Sequence, residues 1–208
     1  MPSLAQLLAA HSPLLVLDAA SARVHVGWLD QAQPARWVSA AEEAGVGVFR
    51  GLSEIGADPA AARAFVFCDG PGSILGIRTT AMAVRTWNIP QARPIFAYHS
   101  LKLVAHALGN EDLAIVADAR RDSWHRCTMN SPLQRVPTAA LTGRLALPEG
   151  FRTWSALPTH VEPVPYSVPS MFSKVSTIDL FRECTAPDAF LHEEPNYATW
   201  TAQVHRAP

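Results

Sequence analysis

AFVFCDGPGSILGIR, residues 64–78, joins a short apolar run to a turn dense in glycine, and the turn leads directly into a helical pattern. Gly70 and Gly72 permit backbone angles that other residues avoid, and Pro71 fixes its own φ between them. Ser73 is a favourable N-cap for the helix that follows. Such a turn directs backbone N–H groups and the positive end of a helix dipole at whatever lies above the strand, which in enzymes is often a phosphate. It therefore indicates either a phosphate-binding loop or a tight strand-to-helix connection.

The composition favours a globular protein that has a partner. The chain has 208 residues, enough for one large domain or two small ones. Charged residues make up only 17% of it, below the usual share of about 25%. This suggests that a partner covers part of the surface. The net charge is −1 and there is no basic stripe, so the sequence does not favour direct binding of nucleic acid.

The cysteines and the N-terminal region predict a cytoplasmic protein with no membrane partner. Cys68, Cys127 and Cys184 are far apart and odd in number, which is typical of buried thiols in a reducing compartment. The first ten residues are mildly apolar but lack the positive segment of a signal peptide. No uninterrupted apolar stretch reaches the roughly 20 residues needed to span a bilayer.

The order of predicted elements indicates a mixed sheet with helices packed on it. In chain order, the patterns predict strands at residues 14–20, 23–29 and 35–39, a helix at 40–56, a strand at 64–68, a helix at 75–87, a strand at 94–98, a helix at 99–108, and a hairpin of 113–118 and 123–129. A three-stranded meander followed by alternating helices and strands does not match a doubly wound fold, which starts with a βαβ unit.

The helix predicted at 40–56 and the proline-rich second half carry two further expectations. On this helix Val46, Phe49, Leu52 and Ile55 recur at spacings of three, and its interior glycines disfavour an unbroken helix. Beyond residue 131, prolines recur at short intervals, which predicts loops, short strands and one or two short helices near 170–184.

Four motifs in this chain occur together in one known family. The most specific is Gly70-Pro71-Gly72-Ser73-x-x-Gly76-x-Arg78, which resembles the GPGSFTGxR signature of the TsaB (YeaZ) family, the non-catalytic partner in bacterial biosynthesis of threonylcarbamoyladenosine on tRNA. The other three, weak alone but in the expected order, are LVLDAAS at 15–21 (family LALDTS), Asp118-Ala119-Arg120-Arg121 (family DAR turn) and Pro195-x-Tyr197 (family P-x-YLR). The resemblance covers residues 14 to 200.

The resemblance implies an α/β protein with an actin-like ATPase fold, related to ASKHA and ribonuclease-H-like domains, in two lobes with mixed sheets. We expect an N-terminal lobe at 1–109 and a smaller, proline-rich second lobe at 110–208, whose C-terminal end could pack back on the first.

Departures from the family pattern mark a divergent member. Ile74 and Leu75 stand where the family has Phe-Thr, and Ala19 and Ala20 stand where it has Thr-Ser. Ala198-Thr199 replaces the family's Leu-Arg. Most of these changes remove polar groups and leave the backbone shape possible.

The same departures weaken a nucleotide site. The residues that could lie near a nucleotide are Gly70, Gly72, Ser73 and Gly76. No lysine follows these glycines, and Leu75 cannot supply a hydroxyl, so the sequence favours a packing role for the turn. Actin-like ATPases place a carboxylate near the metal at the position of Asp18, but its alanine neighbours favour a turn-forming role here.

We predict no catalytic residues and no metal site. His99 and His106 are seven residues apart on a predicted helix, about two turns, which is too far to share an ion without other ligands. Ser73, Ser100 and the cysteines show no arrangement typical of a nucleophile, although triads assemble in space and the sequence does not exclude one.

In the family, the helix equivalent to 75–87 and the preceding long helix form the docking surface for the catalytic subunit. The alternative is a helix buried between the sheet and a neighbour. Applied to this chain, the candidate interface residues are Phe49, Leu52, Ala81, Val84, Arg85 and Trp87.

The resemblance implies a scaffold that supports a TsaD-like catalytic subunit in tRNA N6-threonylcarbamoyladenosine formation, together with a TsaE-like ATPase. A homodimer could form through the same helices, tRNA would be contacted only indirectly, and ATP or ADP would bind only at a partner interface. The alternative is an autonomous nucleotide-binding enzyme of the ASKHA type. A peptidase, an activity once attached to relatives by name, has little support.

Overall fold

A computed structural model describes residues 1–156 and 160–190. Its elements in chain order are α1 (Leu4–His11), β1 (Leu14–Asp18), β2 (Val24–Leu29), β3 (Arg36–Ala40), α2 (Ala44–Ile55), β4 (Ala64–Gly70), α3 (Ile74–Asn88), β5 (Ile95–His99), α4 (Ser100–Leu108), β6 (Leu113–Asp118), β7 (Ser123–Cys127), β8 (Gln134–Pro137), β9 (Arg144–Pro148), β10 (Val161–Val164), α5 (Val168–Lys174) and β11 (Arg182–Glu183). Short 3₁₀ helices lie at Pro59–Ala61 and Thr138–Ala140.

Two mixed sheets form the two lobes. The first sheet has the strand order β11-β5-β4-β1-β2-β3, in which β5, β4 and β1 are parallel and the other pairs are antiparallel. The second has the order β10-β9-β6-β7-β8. Strands β1, β2 and β4 are buried along their whole length, which explains their nearly continuous apolar runs. This arrangement confirms the predicted fold class of two lobes with mixed sheets.

Helices α2 and α3 cover one face of the first sheet. The predicted helix at 40–56 begins later, at Ala44, and continues through its interior glycines. A Cβ at Gly47 would lie 2.9 Å from Val24 Cγ2, and one at Gly51 would lie 2.7 Å from Val26 Cγ2. The glycines therefore let α2 approach β2 closely, which offsets a cost of about 1 kcal/mol per glycine in helix propensity.

The opposite face of the first sheet packs against α4, α5 and the second lobe in the largest apolar cluster of the described chain. After β10, residues 165–190 run back to the first sheet; we call them the return segment. They contain α5 and β11, and β11 pairs with β5. The expectation of one or two short helices near 170–184 corresponds to α5, which begins at Val168.

Helix α1 was not predicted. It begins with a capping box in which Ser3 and Gln6 exchange hydrogen bonds with each other's backbone N–H groups. Leu4 and Leu7 enter the large cluster, and the Ala5 N–H donates to the Ser176 carbonyl at 2.9 Å. The first residues therefore hold the return segment in place.

None of the helices within residues 1–156 and 160–190 is long and apolar enough to cross a membrane.

Candidate functional site

A cleft of about 520 Å³ lies where the two lobes meet. Five segments line it: the turn after β1, the start of α2, the glycine turn with the start of α3, the end of β6, and the loop after β9. Its lining includes Ala19, Ala20, Ser21, Ala22, Glu42, Gly45, Gly72, Ser73, Leu75, Gly76, Thr79, Asp118, Gly150, Phe151, Arg152 and Trp154. The structure thus brings Gly72, Ser73 and Gly76 to the position of an inter-lobe site.

Ser73, in the glycine turn, directs both its N–H and its side chain at the protein itself. At Gly72 the φ of +154° and the closeness of the backbone exclude a side chain, because a Cβ there would collide with the Ala20 carbonyl oxygen. The Ser73 N–H donates to that same oxygen at 2.8 Å. The Ser73 side chain caps α3 by accepting the Gly76 N–H at 3.3 Å. These contacts fix the start of α3 against the turn after β1.

The carboxylate of Asp18, at the end of β1, also accepts hydrogen bonds from within the protein. Asp18 is fully buried, and one of its oxygens accepts the Ala20 N–H at 2.9 Å. The other oxygen accepts the hydroxyl protons of Tyr98, at 2.6 Å, and Tyr166, at 2.7 Å. Burial, and then the charge of Asp18, raises the pKa of both tyrosines well above the usual value, so both hydroxyls remain donors.

These contacts bear on whether an adenine nucleotide, which the fold family implies, fits here. A phosphate site needs N–H groups aimed at the ligand, and a metal site needs an accessible carboxylate. The Ser73 N–H and Asp18 both bond within the protein. Ser73 and Asp18 therefore do not fit the roles of phosphate donor and metal ligand.

The second-lobe side of the cleft is formed by the end of β6 and the loop after β9, and the turn after β6 lies beside Trp154 of that loop. Arg120, Arg121 and Asp122 all have left-handed backbone angles, with φ between 52° and 62°, a conformation that costs roughly 1–2 kcal/mol per non-glycine residue. Asp118 compensates by accepting the N–H groups of Arg120 at 2.6 Å, Trp154 at 2.7 Å and Ser155 at 2.6 Å. The Arg120 guanidinium lies 4.4 Å from the centre of the exposed Trp154 ring.

The pKa of Asp118 reflects the hydrogen bonds that it accepts. Burial acts to raise it, but the backbone hydrogen bonds from Ser155, Arg120 and Trp154 outweigh burial, and the pKa lies below its usual value. Asp118 therefore stays ionised at neutral pH and acts as an acceptor that holds the cleft wall.

A charged cluster that the sequence did not predict lies at the carboxyl ends of β4 and β5. Asp69 is buried and pairs with Arg182 of the return segment. It also accepts a hydrogen bond from His99 Nδ1 at 2.9 Å, and its carbonyl accepts the Phe190 N–H at 2.7 Å. Burial lowers the pKa of His99, against the opposing effect of a hydrogen bond to the Gly70 backbone, and nearby Lys102 lowers it further. The sequence offered one signal, an acidic residue inside an apolar strand.

The buried cysteines and the potential metal ligands give little support to thiol or metal catalysis. Burial raises the pKa of Cys127 to about 12 and that of Cys68 well above its usual value, so both stay protonated at neutral pH. Over residues 1–156 and 160–190, no group of three or more His, Cys, Asp or Glu side chains could hold a metal ion.

The structure separates the six predicted interface residues into two groups. Leu52, Ala81 and Val84 are buried in the core between the sheet and its helices, so their assignment to a docking surface is corrected. Phe49 and Arg85 are exposed, and Trp87 is half-buried with its ring edge-to-face with Phe49 at 6.1 Å.

Three exposed apolar residues were missed as interface candidates. Val46 is 59% exposed, Leu75 78% and Met82 57%, and Phe49 beside them is 61% exposed. Val46 and Phe49 are three apart on α2, and Leu75 and Met82 are seven apart on α3, so each pair shares a helix face. We call these four residues the α2–α3 surface. Phe49 and Met82 line a groove of about 400 Å³ together with Val48, Arg78, Thr79, Ala83, Thr86 and Trp87.

Comparisons with known proteins bear on the fold. No family model and no curated protein matches the sequence. One similar solved structure is YeaZ from Pseudomonas aeruginosa, with 20% identity, a TM-score of 0.57, and coverage of 79% of this chain and 90% of that one. A second is described as an uncharacterized protein with similarity to peptidase YEAZ from Pseudomonas aeruginosa, with 20% identity, a TM-score of 0.56, and coverage of 78% and 89%. The Pro195-x-Tyr197 motif lies outside the described residues. The chain therefore has a YeaZ-like, two-lobed actin-like fold.

Proposed function

We propose that this chain is a non-catalytic scaffold subunit of the TsaB type. It docks a TsaD-like catalytic subunit through the α2–α3 surface and supports threonylcarbamoylation of tRNA adenosine in the cytoplasm. The observation that carries the proposal is the exposure of four large apolar side chains on two neighbouring helices. Single exposed apolar residues are ordinary, but two of these four, Phe49 and Met82, line one groove, and exposed apolar patches are typical of protein interfaces.

The energetics of this surface suit a docking role. Burying such a side chain fully contributes about 1.5–3 kcal/mol. Phe49 and Trp87 form an aromatic pair at the groove, and aromatic residues are enriched among those that dominate binding. Arg85 adds an exposed positive charge on α3, which favours a partner with acidic groups nearby. The same surface could also pair two copies of this chain.

The site geometry supports a scaffold rather than an enzyme. The glycine turn and Asp18 make contacts within the protein, and the two buried thiols stay protonated. The catalysed step, transfer of threonylcarbamoyl to adenosine N6, is therefore assigned to the TsaD-like partner. Contacts with tRNA and with a TsaE-like ATPase would also depend on that partner, as would any binding of ATP or ADP.

The test is binding of the purified chain to the TsaD-like protein of the same organism, measured by calorimetry. We expect micromolar or tighter affinity. Phe49→Glu and Met82→Glu, at two exposed residues that line the groove, should each weaken it at least tenfold, because each buries a charge in an apolar contact. Ile89→Glu is the matched control, because Ile89 is 80% exposed at the end of α3 and does not line the groove. Absence of binding, or equal losses in all three variants, would contradict the proposal.

A second function, autonomous nucleotide binding, is favoured by the size of the inter-lobe cleft and by Gly72 and Ser73 in its lining. A titration of the isolated chain with magnesium ATP separates the two functions. The scaffold proposal predicts no saturable heat. An enzyme would show saturation that Ala22→Trp removes, because Ala22 is an exposed cleft residue and the larger side chain would occupy the cavity.

A further inference from the structure

A row of polar side chains crosses the first sheet near the cleft. Asp18 on β1 is directly opposite His25 on β2, and His25 is opposite Ser39 on β3. On the other side, Cys68 on β4 is opposite Tyr98 on β5. His25 Nδ1 and Ser39 Oγ are 2.7 Å apart. These residues lie on the sheet face that packs against α4 and α5, so Asp18 is a buried carboxylate within the core.

The two hydroxyls on Asp18 come from different parts of the molecule. Tyr98 belongs to the first sheet itself. Tyr166 stands at the beginning of the return segment, 148 residues from Asp18 in sequence. The Tyr166 ring also packs edge-to-face on Phe151 at 4.9 Å, and Phe151 lines the cleft. The carboxylate of Asp18 therefore joins the first sheet, the return segment and the second-lobe side of the cleft.

The other oxygen of Asp18 connects through Ala20 to the start of α3. It accepts the Ala20 N–H, and the Ala20 carbonyl accepts the Ser73 N–H at the start of α3. Hydrogen bonds to a carboxylate are shorter and roughly twice as strong as those between neutral groups. A continuous series of hydrogen bonds thus runs from Tyr166 through Asp18 and Ala20 to Ser73.

We propose that Asp18, Tyr98 and Tyr166 form a clasp that holds the second lobe and the return segment on the first sheet and fixes the width of the inter-lobe cleft. Domains joined by ordinary interfaces move relative to one another by default. Here, separation would expose or leave unpaired a buried carboxylate, which is strongly unfavourable. The aromatic rings of Phe172 and Phe181, from the return segment, pack edge-to-face on Tyr98 and exclude water from the clasp.

The clasp acts in the isolated chain and does not depend on a docking partner. Its test is hydrogen exchange of the full chain, followed by mass spectrometry, in two matched variants. Tyr166→Phe and Tyr98→Phe each remove one hydroxyl from the same carboxylate oxygen and keep the ring. In Tyr166→Phe, we expect peptides from residues 165–190 and 148–156 to exchange at least tenfold faster. In Tyr98→Phe, we expect faster exchange in β5, with the return segment close to wild type.

Two results with these variants would overturn the clasp. One is an unchanged exchange rate of the return segment in Tyr166→Phe. The other is an equal acceleration of every peptide in both variants, which a general loss of stability would produce. The wild-type protein offers a test that needs no variant: the clasp requires the amides of Ala20 and of residues 165–175 to open together, with one common free energy. Separate opening of these two groups would contradict it.

Discussion

Two turns border the inter-lobe cleft, and each reaches a left-handed backbone by a different route. The glycine turn places Gly70 and Gly72 at φ of +116° and +154°, where the absence of a side chain removes the steric cost. The turn after β6 places Arg120, Arg121 and Asp122 in the left-handed region with side chains present. There the conformation is held by hydrogen bonds to Asp118 and Thr138. The conformation of the glycine turn depends on residue type, and the conformation of the turn after β6 depends on hydrogen bonds with neighbouring residues.

The first prediction tests the dependence on residue type, and it has the largest expected effect. Gly72→Ala should destabilise the protein by more than about 3 kcal/mol, because a Cβ collides with the Ala20 carbonyl in a region that side chains avoid. Urea unfolding followed by fluorescence measures this. The control is Gly45→Ala in α2, where a Cβ meets nothing within 4 Å; it should stabilise the protein by about 0.5–1 kcal/mol. Equal effects at the two glycines would show that Gly72 has no special role.

The second prediction concerns the neighbours that hold the other turn. Asp118→Ala should cost about 1–3 kcal/mol, because it removes the acceptor for three backbone N–H groups. The same urea experiment measures it, with Asp112→Ala as control at an exposed carboxylate that should change stability by less than about 0.5 kcal/mol. If Asp118→Ala matched that control, the turn would hold its conformation without the carboxylate.

The pH dependence of protein stability also tests the role of Asp118 in this turn. The pKa of Asp118 is lower in the folded protein than its ordinary value of 3.8. The contribution of this group to stability is therefore complete above that value and is lost as the pH falls through the lower, folded-state pKa. Measured against Asp118→Asn, the wild-type advantage should be constant from pH 7 to about pH 5 and shrink in more acidic solution. An advantage that grows on acidification would show that the pKa shift has the opposite sign.

The smallest expected effect is a gain in stability. Arg121→Gly should raise stability by about 0.5–1 kcal/mol, because glycine adopts φ of 52° without steric cost while the unfolded chain gains freedom. In a thermal melt this corresponds to an increase of about 1–4 °C for a chain of this size. Arg152→Gly, at an exposed arginine outside the left-handed region, should give no gain. A loss at Arg121 would mean that its side chain stabilises the turn more than its backbone strains it.

Local sequence signals predicted most of the first lobe. The apolar runs of β1, β4 and β5 and the turn from Gly70 to Ser73 are properties of neighbouring residues, so their elements could be placed within a few positions. Helix α1 was missed although its signal, Ser3 followed by Gln6, was present.

Apolar spacing on α2 could not separate core from surface. A helix advances about 100° per residue, so a spacing of three shifts each position back by about 60°. Across Val46, Phe49, Leu52 and Ile55 the side chains therefore sweep through about half a turn. The first two are exposed and the last two are buried.

The polar contacts of the site could not be predicted from the sequence, for a different reason. Asp18 meets Tyr166 and Asp69 meets Arg182, in pairs more than 100 residues apart. Nothing in the local pattern around one residue identifies the other, because the return segment brings them together only in the folded chain.

The contact between α1 and the return segment has a consequence for biosynthesis. Ala5 bonds to Ser176, Phe181 bonds to Pro2, and β11 pairs with the edge of β5. The lobe that the ribosome makes first therefore cannot be completed until residues 176–183 have also been synthesised. Until then, the edge of β5 has no partner strand, and the nascent chain presents that edge to chaperones or to other chains.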